Sequence, residues 1–198
     1  MMRIVGILLA AGRGSRFGGD KLLAPLPAPA AGVPAGTPLG IASATHLAQA
    51  LAETIVVLRP GHHDLGAGMR STGLRTIECP NADEGMGATL ACGVSATSDA
   101  DGWVVALADM PWIRPVTIAS VAAALAAGAD IVAPAYLGRR GHPVGFARRH
   151  RDALIGSKGD AGARELVAAS RETLTLVEVD DPGVLRDVDV PGDLASLP

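Results

Sequence analysis

Residues Arg3 to Leu9 (RIVGILL) form an unbroken apolar run rich in β-branched side chains, and it leads almost directly into Gly12-Arg13-Gly14-Ser15-Arg16-Phe17-Gly18-Gly19. A strand that is apolar on both sides has to be covered on both sides, which is the situation inside a parallel sheet. Thr54–Leu58 (TIVVL) and Trp103–Leu107 (WVVAL) have the same character, and Leu74–Glu78 reads as a shorter strand. Helical composition fills the intervals at Ile41–Ala52, His62–Ser71 and Gly87–Thr97. A further helix starts at Pro115, where a first turn tolerates proline, and stops by Gly128. Beyond it come a strand at Asp130–Ala133 and an extended excursion or hairpin over Tyr136–Phe146. Helical stretches follow at Arg148–Ile155 and Ala161–Ser170, then short strands at Leu174–Val179 and Arg186–Val188, and Pro191 opens a last helical turn. Strands alternating with helices predict an α/β fold, a three-layer, doubly wound, mostly parallel and Rossmann-like sheet whose ligands gather at the carboxyl ends of the strands. The 198 residues suit one domain spanning 1–198, with no internal repeat.

Composition narrows the function classes. Apolar residues make up 48% and charged residues 19%, which is globular, and aromatics are only 3%, so the core is built from Ala, Val, Leu and Ile. A net charge of −3 and the lack of a basic, aromatic surface argue against nucleic-acid binding. No run approaches the ~20 apolar residues that span a bilayer, and Ile4–Ala11 is read as a buried strand, not as a signal segment. Cys79 and Cys92 form no CxxC and are expected to be reduced and partly buried, as in a cytoplasm. The Pro-, Ala- and Gly-rich segment Leu22 to Gly40 reads as an ordered loop or a flexible flap.

The loop after the first strand is suited to an anion. Small residues let the backbone approach a ligand and aim successive N–H groups at it, while Arg13, Arg16 and Lys21 add positive charge. Two common phosphate motifs fail here. Gly12-x-Gly14 is followed by Phe17 where a dinucleotide fingerprint has its third glycine, and Gly19-Asp20-Lys21-Leu22 is not the Gly-Lys-Ser/Thr of a Walker A loop.

The pattern Leu9-Ala10-Ala11-Gly12, Arg16, Gly18, Lys21 resembles the signature of MobA-like nucleotidyltransferases. The resemblance continues through Asn81, Gly85-Met86, Ala108-Asp109-Met110-Pro111, Gly141-His142-Pro143-Val144, Gly159-Asp160-x-Gly162-Ala163-Arg164 and Asp187-Val188-Asp189-Val190-Pro191. Within the family the chain is most similar to molybdenum cofactor cytidylyltransferases, which carry Ala-Ala-Gly where guanylyltransferases tend to carry Ala-Gly-Gly. Pro25, Pro27, Pro29, Pro34 and Pro38 expand a stretch that the family usually keeps compact.

The resemblance implies a nucleotide-diphospho-sugar transferase-like fold and a Mg²⁺-dependent transfer from CTP, or GTP, to a molybdopterin-type acceptor, with an apo-molybdoenzyme as a candidate protein partner. It implies a nucleotide site at Leu9, Ala10, Ala11, Gly12, Arg13, Gly14, Asn81, Gly85 and Met86, catalytic roles for Lys21, Arg16 and Asp109, and acceptor contacts at His142 and Pro143. Transfer to a different phosphorylated acceptor is one alternative, and a non-catalytic cofactor-insertion chaperone is another.

The carboxylates fit that chemistry. Asp109 follows the strand Trp103–Leu107, at the ligand edge of the sheet, and Mg²⁺ is held by one or two carboxylates plus phosphates and water. Asp189 is the second expected ligand by resemblance, with Asp187 as its substitute on the same strand face. As alternatives, Asp109 caps the helix at Pro115 and Asp189 caps the one at Pro191. An anionic cluster of Asp109, Asp187 and Asp189 predicts that Asp109→Asn leaves stability unchanged or raised. His62-His63 is read as a surface pair, and Gly156–Gly162 (GSKGDAG) as either a second phosphate-type loop or a helix-capping loop.

Overall fold

The computed structural model describes residues 2–159, 162–170 and 172–195. Its first strand, β1 (Ile4–Ala10), sends alternate side chains into two cores. Leu8 and Ala10 join one core with residues of α1 (Leu39–Ala50), α2 (His63–Ser71) and α4 (Pro115–Ala126). Val5, Ile7 and Leu9 join the other with residues of α3 (Met86–Ser95), α5 (Arg151–Ile155) and α6 (Arg164–Ala169). The period of two along a strand thus fixes the helix–sheet–helix layering expected from unbroken apolar runs.

β1 lies between β2 (Glu53–Leu58) and β4 (Gly102–Leu107), parallel to both, with Ile7 level with Ile55 and Val105. Parallel β3 (Arg75–Glu78) continues the sheet beyond β2. Beyond β4 the sheet becomes mixed. β7 (Val144–Ala147) runs antiparallel to β4 and to β5 (Ile131–Tyr136), β6 (Arg139–Arg140) forms a hairpin on β5, and β8 (Leu174–Glu178) pairs in parallel with β5. The eight strands run in the order β3-β2-β1-β4-β7-β5-β6, with β8 also beside β5. A last helical turn, α7 (Gly192–Ala195), closes the described chain.

The start of α4 shows how distant residues complete local structure. Its Pro115 lacks an N–H that would in any case be unpaired there. Asp181 Oδ2 accepts from Arg114 N at 2.8 Å and from Thr117 Oγ1 at 2.7 Å, so Asp181 braces the start of this helix, and no side chain among the described residues, Asp109 included, caps it.

Two expectations are corrected, and a third, left open, falls on one of its alternatives. Arg186–Val188 joins no strand: Val188 is fully buried against a small core containing Leu26, Val33 and Leu39, and its N–H donates to Asp109 O at 3.0 Å. The shared strand face proposed for Asp187 and Asp189 is therefore absent. Cys79 and Cys92 form a disulfide, with Cα atoms 5.8 Å apart, instead of two thiols. The pairing arises because the chain turns after β3 and returns in α3 beside the strand end, an approach that thirteen residues of sequence separation do not reveal. The Leu22–Gly40 segment is an ordered loop, closed by bridges between Pro25 and Pro38 and between Ala30 and Val33. Among the described residues, no helix is long and apolar enough to cross a membrane.

Candidate active site

The carboxyl ends of β1 and β4 open into a cleft of about 560 Å³. Ala11, Gly12 and Gly14 line it from the glycine-rich loop, Gly85 and Met86 from the start of α3, and Lys21 and Asp109 complete it. Gly14 and Gly18 have φ of 59° and 79°, left-handed values that glycine adopts without steric cost, and they flank a 3-10 turn over Ser15–Phe17. Arg13 reaches from the loop to Asp83, with Nη2 2.7 Å from Oδ1. Both side chains are largely exposed, so the pair is a weak tether.

Lys21 is the charged centre of the site. It is only 9% exposed. Its Nζ donates to Asp109 Oδ2 at 2.7 Å, to Val188 O at 2.8 Å and to Asp189 Oδ1 at 3.4 Å. Burial by itself would lower the pKa of Lys21, but the hydrogen bonds and charges of Asp109 and Asp189 outweigh it and hold the ammonium above its ordinary value. Arg16 Nη1 lies 2.9 Å from Asp189 Oδ2. Asp193 Oδ2 accepts from the backbone N–H groups of Asp189 and Val190, at 2.8 Å each, and so holds the Asp189 segment in place.

These carboxylates suit a hard divalent cation. Asp109 Oδ1 is buried without a hydrogen-bond partner, Asp189 contacts the same ammonium, and the adjoining cleft leaves room for phosphate oxygens.

A second, smaller pocket of about 160 Å³ adjoins the first through Leu9, Met86 and Leu107. Val144 and Phe146 give it apolar walls, and Arg140, His142 and Arg164 give it polar ones. Burial, reinforced by Arg140 and Arg164 and opposed by Asp187, pushes the His142 pKa down to about 4. The imidazole is therefore neutral near pH 7, and its Nδ1 is buried without a partner.

Several sequence expectations meet here and others do not. Leu9, Ala11, Gly12, Arg13, Gly14, Gly85, Met86, Lys21 and Asp109 all line the first cleft, and His142 lines the second. Ala10 turns its methyl into the core on the α1 side of the sheet. Asn81 points its Oδ1 toward Cys79 and Cys92, 3.3 and 3.6 Å from their sulfurs, and lines neither pocket. Pro143 is buried beside His142 without lining a pocket. His62 is not a surface residue: its side chain is 4% exposed, and Nε2 donates to Asp20 Oδ2 at 2.5 Å. Its sequence signal was masked by the neighbouring His63, which is exposed. In the GSKGDAG segment, Gly159 O accepts from Gly87 N at 2.8 Å, at the start of α3; Asp160, read as the cap of the following helix, and Ala161 lie outside the described residues. A Cβ on Gly87 would sit 2.6 Å from the Lys158 backbone, so the close approach itself requires glycine. Sequence reasoning missed Asp83, Thr89 and Arg140 as lining residues and gave Arg164 no role.

Residues 6–174 match the family model of the MobA-like NTP transferase domain. The chain is 31% identical to the purine catabolism protein PucB of Bacillus subtilis over 199 residues, covering 95% of this chain and 92% of that one. It is 28% identical to the nicotine blue oxidoreductase of Paenarthrobacter nicotinovorans over 195 residues, covering 94% and 92%. The crystal structure of Rv0371c from Mycobacterium tuberculosis matches with a TM-score of 0.83 at 28% identity, covering 98% of this chain and 96% of that one. A crystal structure of Rv0371c in complex with manganese matches with a TM-score of 0.79 at 26% identity, covering 99% and 100%.

Proposed function

Because this chain belongs to the MobA-like NTP transferase family, we propose that it transfers a cytidylyl group from CTP to a molybdopterin-type phosphorylated acceptor and releases pyrophosphate. The observation that carries this reading is the convergence of Lys21, Asp109 and Asp189 beside a cleft lined by the glycine-rich loop. A hydrolytic site, whose acceptor is water, has no need of a second pocket opening onto the same cleft, whereas a transferase must hold donor and acceptor together.

In this reading the triphosphate lies along Gly12 to Gly14, and the acceptor occupies the smaller pocket. Val144 and Phe146 pack against its flat ring body, while Arg140 and Arg164 meet its anionic group. Neutral His142 serves as a hydrogen-bonding group without adding charge. The acceptor phosphate oxygen attacks the α-phosphorus, the new O–P bond forms, and the bond to the β-phosphate oxygen breaks in line, so that pyrophosphate leaves. A phosphate monoester is mostly dianionic at pH 7, with a second pKa of about 6, so the attack needs no general base. The work of the protein is positioning and charge stabilisation. A divalent cation, when bound, would neutralise phosphate charge; Asp109 and Asp189 would hold it. Lys21 and Arg16 then turn toward the phosphates and stabilise the departing pyrophosphate. Removing one such contact costs roughly 3–4 kcal/mol of transition-state stabilisation.

Pyrophosphate release, measured with each of the four NTPs and with and without molybdenum cofactor, tests this. Acceptor-dependent release, fastest with CTP, supports it; fastest release with GTP moves the assignment to guanylyl transfer. Acceptor-dependent release only with another phosphorylated compound keeps the chemistry and changes the acceptor. Tight binding of the cofactor without release from any NTP supports the insertion-chaperone alternative. An oxidoreductase is the reading favoured by the name of the Paenarthrobacter relative. It is recognised by acceptor-dependent consumption of NADH or NADPH, with no pyrophosphate formed.

A further inference from the structure

The glycine-rich loop is tied down from behind by residues that touch neither pocket. Arg59, just past β2, donates from Nη1 to Gly12 O at 3.1 Å, at the start of the loop, and from Nη2 to Asp20 Oδ2 at 3.2 Å, at its end. His62, at the threshold of α2, donates to the same Asp20 oxygen at 2.5 Å. One guanidinium therefore holds both ends of the loop, and a buried imidazole fixes the same carboxylate. Asp20 directly precedes Lys21, and Asp20 O accepts from Leu23 N at 3.1 Å to begin the turn that carries the Lys21 side chain into the site.

The other side-chain tethers of the loop are weaker. Arg13–Asp83 and Arg16–Asp189 engage arginines that are 68% and 76% exposed, and exposed pairs contribute little. Arg59 and Asp20, by contrast, are 21% and 26% exposed, and His62 is 4% exposed.

We propose that Arg59 and His62 are positioning residues for triphosphate binding, which act by gripping Asp20 and so holding the loop and Lys21 in register. The proposal rests on the reading of this loop as the triphosphate site. It assigns no contact with substrate to either residue. A misplacement of ~1 Å by residues remote from the chemistry can cost on the order of a hundredfold in rate.

The test uses isothermal titration of the full chain with inorganic tripolyphosphate and Mg²⁺, a probe that carries no base and so is independent of the CTP assignment. His62→Leu keeps the buried volume and removes the N–H; Asp20→Ala removes the gripped carboxylate; His62→Gln retains a donor. We expect His62→Leu and Asp20→Ala each to weaken tripolyphosphate binding by about tenfold and His62→Gln to recover most of it. The His62→Leu/Asp20→Ala double variant should bind no worse than the weaker single one, because both substitutions remove the same His62–Asp20 contact. The corresponding KM for the NTP should rise by a similar factor; Asp20→Ala should also lower the unfolding midpoint, because it leaves His62 and Arg59 without their shared carboxylate, so binding is read at a temperature where every variant is folded. Lys21→Ala serves as the reference. If Lys21→Ala loses binding while His62→Leu and Asp20→Ala bind like the unaltered protein, the proposal falls alone. If Lys21→Ala also binds normally, the loop is not the phosphate site and the proposal falls with that reading. Should His62→Leu fail to fold, Asp20→Ala, on the loop itself, decides the outcome. Additive losses in the double variant would assign the two residues a general structural role and overturn the grip.

Discussion

Lys21 Nζ lies 2.7 Å from Asp109 Oδ2, so the ammonium already neutralises the carboxylate proposed to hold a divalent cation. A cation approaching the unpartnered Oδ1 without nucleotide has to compete with that positive charge. Lys21→Met should therefore bind Mn²⁺ alone more tightly than the unaltered protein, while Lys21→Ala and Lys21→Met both lose about two orders of magnitude in turnover. Electron paramagnetic resonance titration of Mn²⁺ reads the first effect. Unchanged metal affinity in Lys21→Met would mean that ammonium and metal do not share these oxygens.

Asp109→Asn should abolish metal-dependent turnover and also destabilise the fold. The repulsive carboxylate cluster expected from the sequence is not what surrounds Asp109; its close neighbour is a buried ammonium. Removing one partner of such a pair leaves the other poorly compensated, a loss of about 1–3 kcal/mol for a partly buried site. Urea denaturation checks this, and a stability equal to or above that of the unaltered protein would return Asp109 to the repulsive picture.

His142 sets a pH dependence whose sign can be worked out. Its folded pKa of about 4 lies below the unfolded value of about 6.5, so the unfolded chain takes up a proton that the fold refuses. Its contribution to stability is complete above about pH 6.5 and is lost as the pH falls toward 4. Between about pH 7.5 and about pH 5.5 this single group costs roughly 1 kcal/mol. His46, also lowered by burial, acts in the same direction. His142→Gln should remove its own share of the slope, leaving that of His46. Denaturant titrations at the two pH values measure it, and an unaltered slope would place the imidazole in contact with solvent.

Ala11 bears on the base. It lines the first cleft, and the methyl stands where guanylyl-transferring relatives tend to have glycine. One methyl-sized group in a pocket is worth about 1–3 kcal/mol of selectivity. CTP should be preferred over GTP by roughly 10–200-fold, with Ala11→Gly narrowing the ratio. Competition between labelled CTP and GTP decides it; an unmoved ratio in the variant would show that the base is read elsewhere.

What was legible in the sequence was what a short window encodes. The runs at β1, β2 and β4 announce buried parallel strands because both faces must be apolar, Asp109 closely follows β4, and Lys21 ends the charged glycine-rich loop after β1. What was not legible depends on distant segments meeting. Asp181 braces the start of α4 from 67 residues away, Arg59 and His62 reach Asp20 across the β1–β2 crossover, and Cys92 returns to Cys79. The 186–188 segment misled for a related reason. Val188 is apolar because it seals the small core under the proline-rich loop, not because it belongs to a strand. Asn81 matched the family pattern in sequence, yet its side chain faces the paired sulfurs and not the cleft.

The central claim concerns which phosphorus is attacked. Incubation with molybdenum cofactor and CTP labelled at either the α- or the γ-phosphate, followed by separation of the products, tests it directly. The account predicts that α-label moves to the acceptor, that γ-label appears in pyrophosphate, and that both transfers are lost in Asp109→Asn. Transfer of γ-label to the acceptor, or transfer of α-label undiminished in Asp109→Asn, would contradict it.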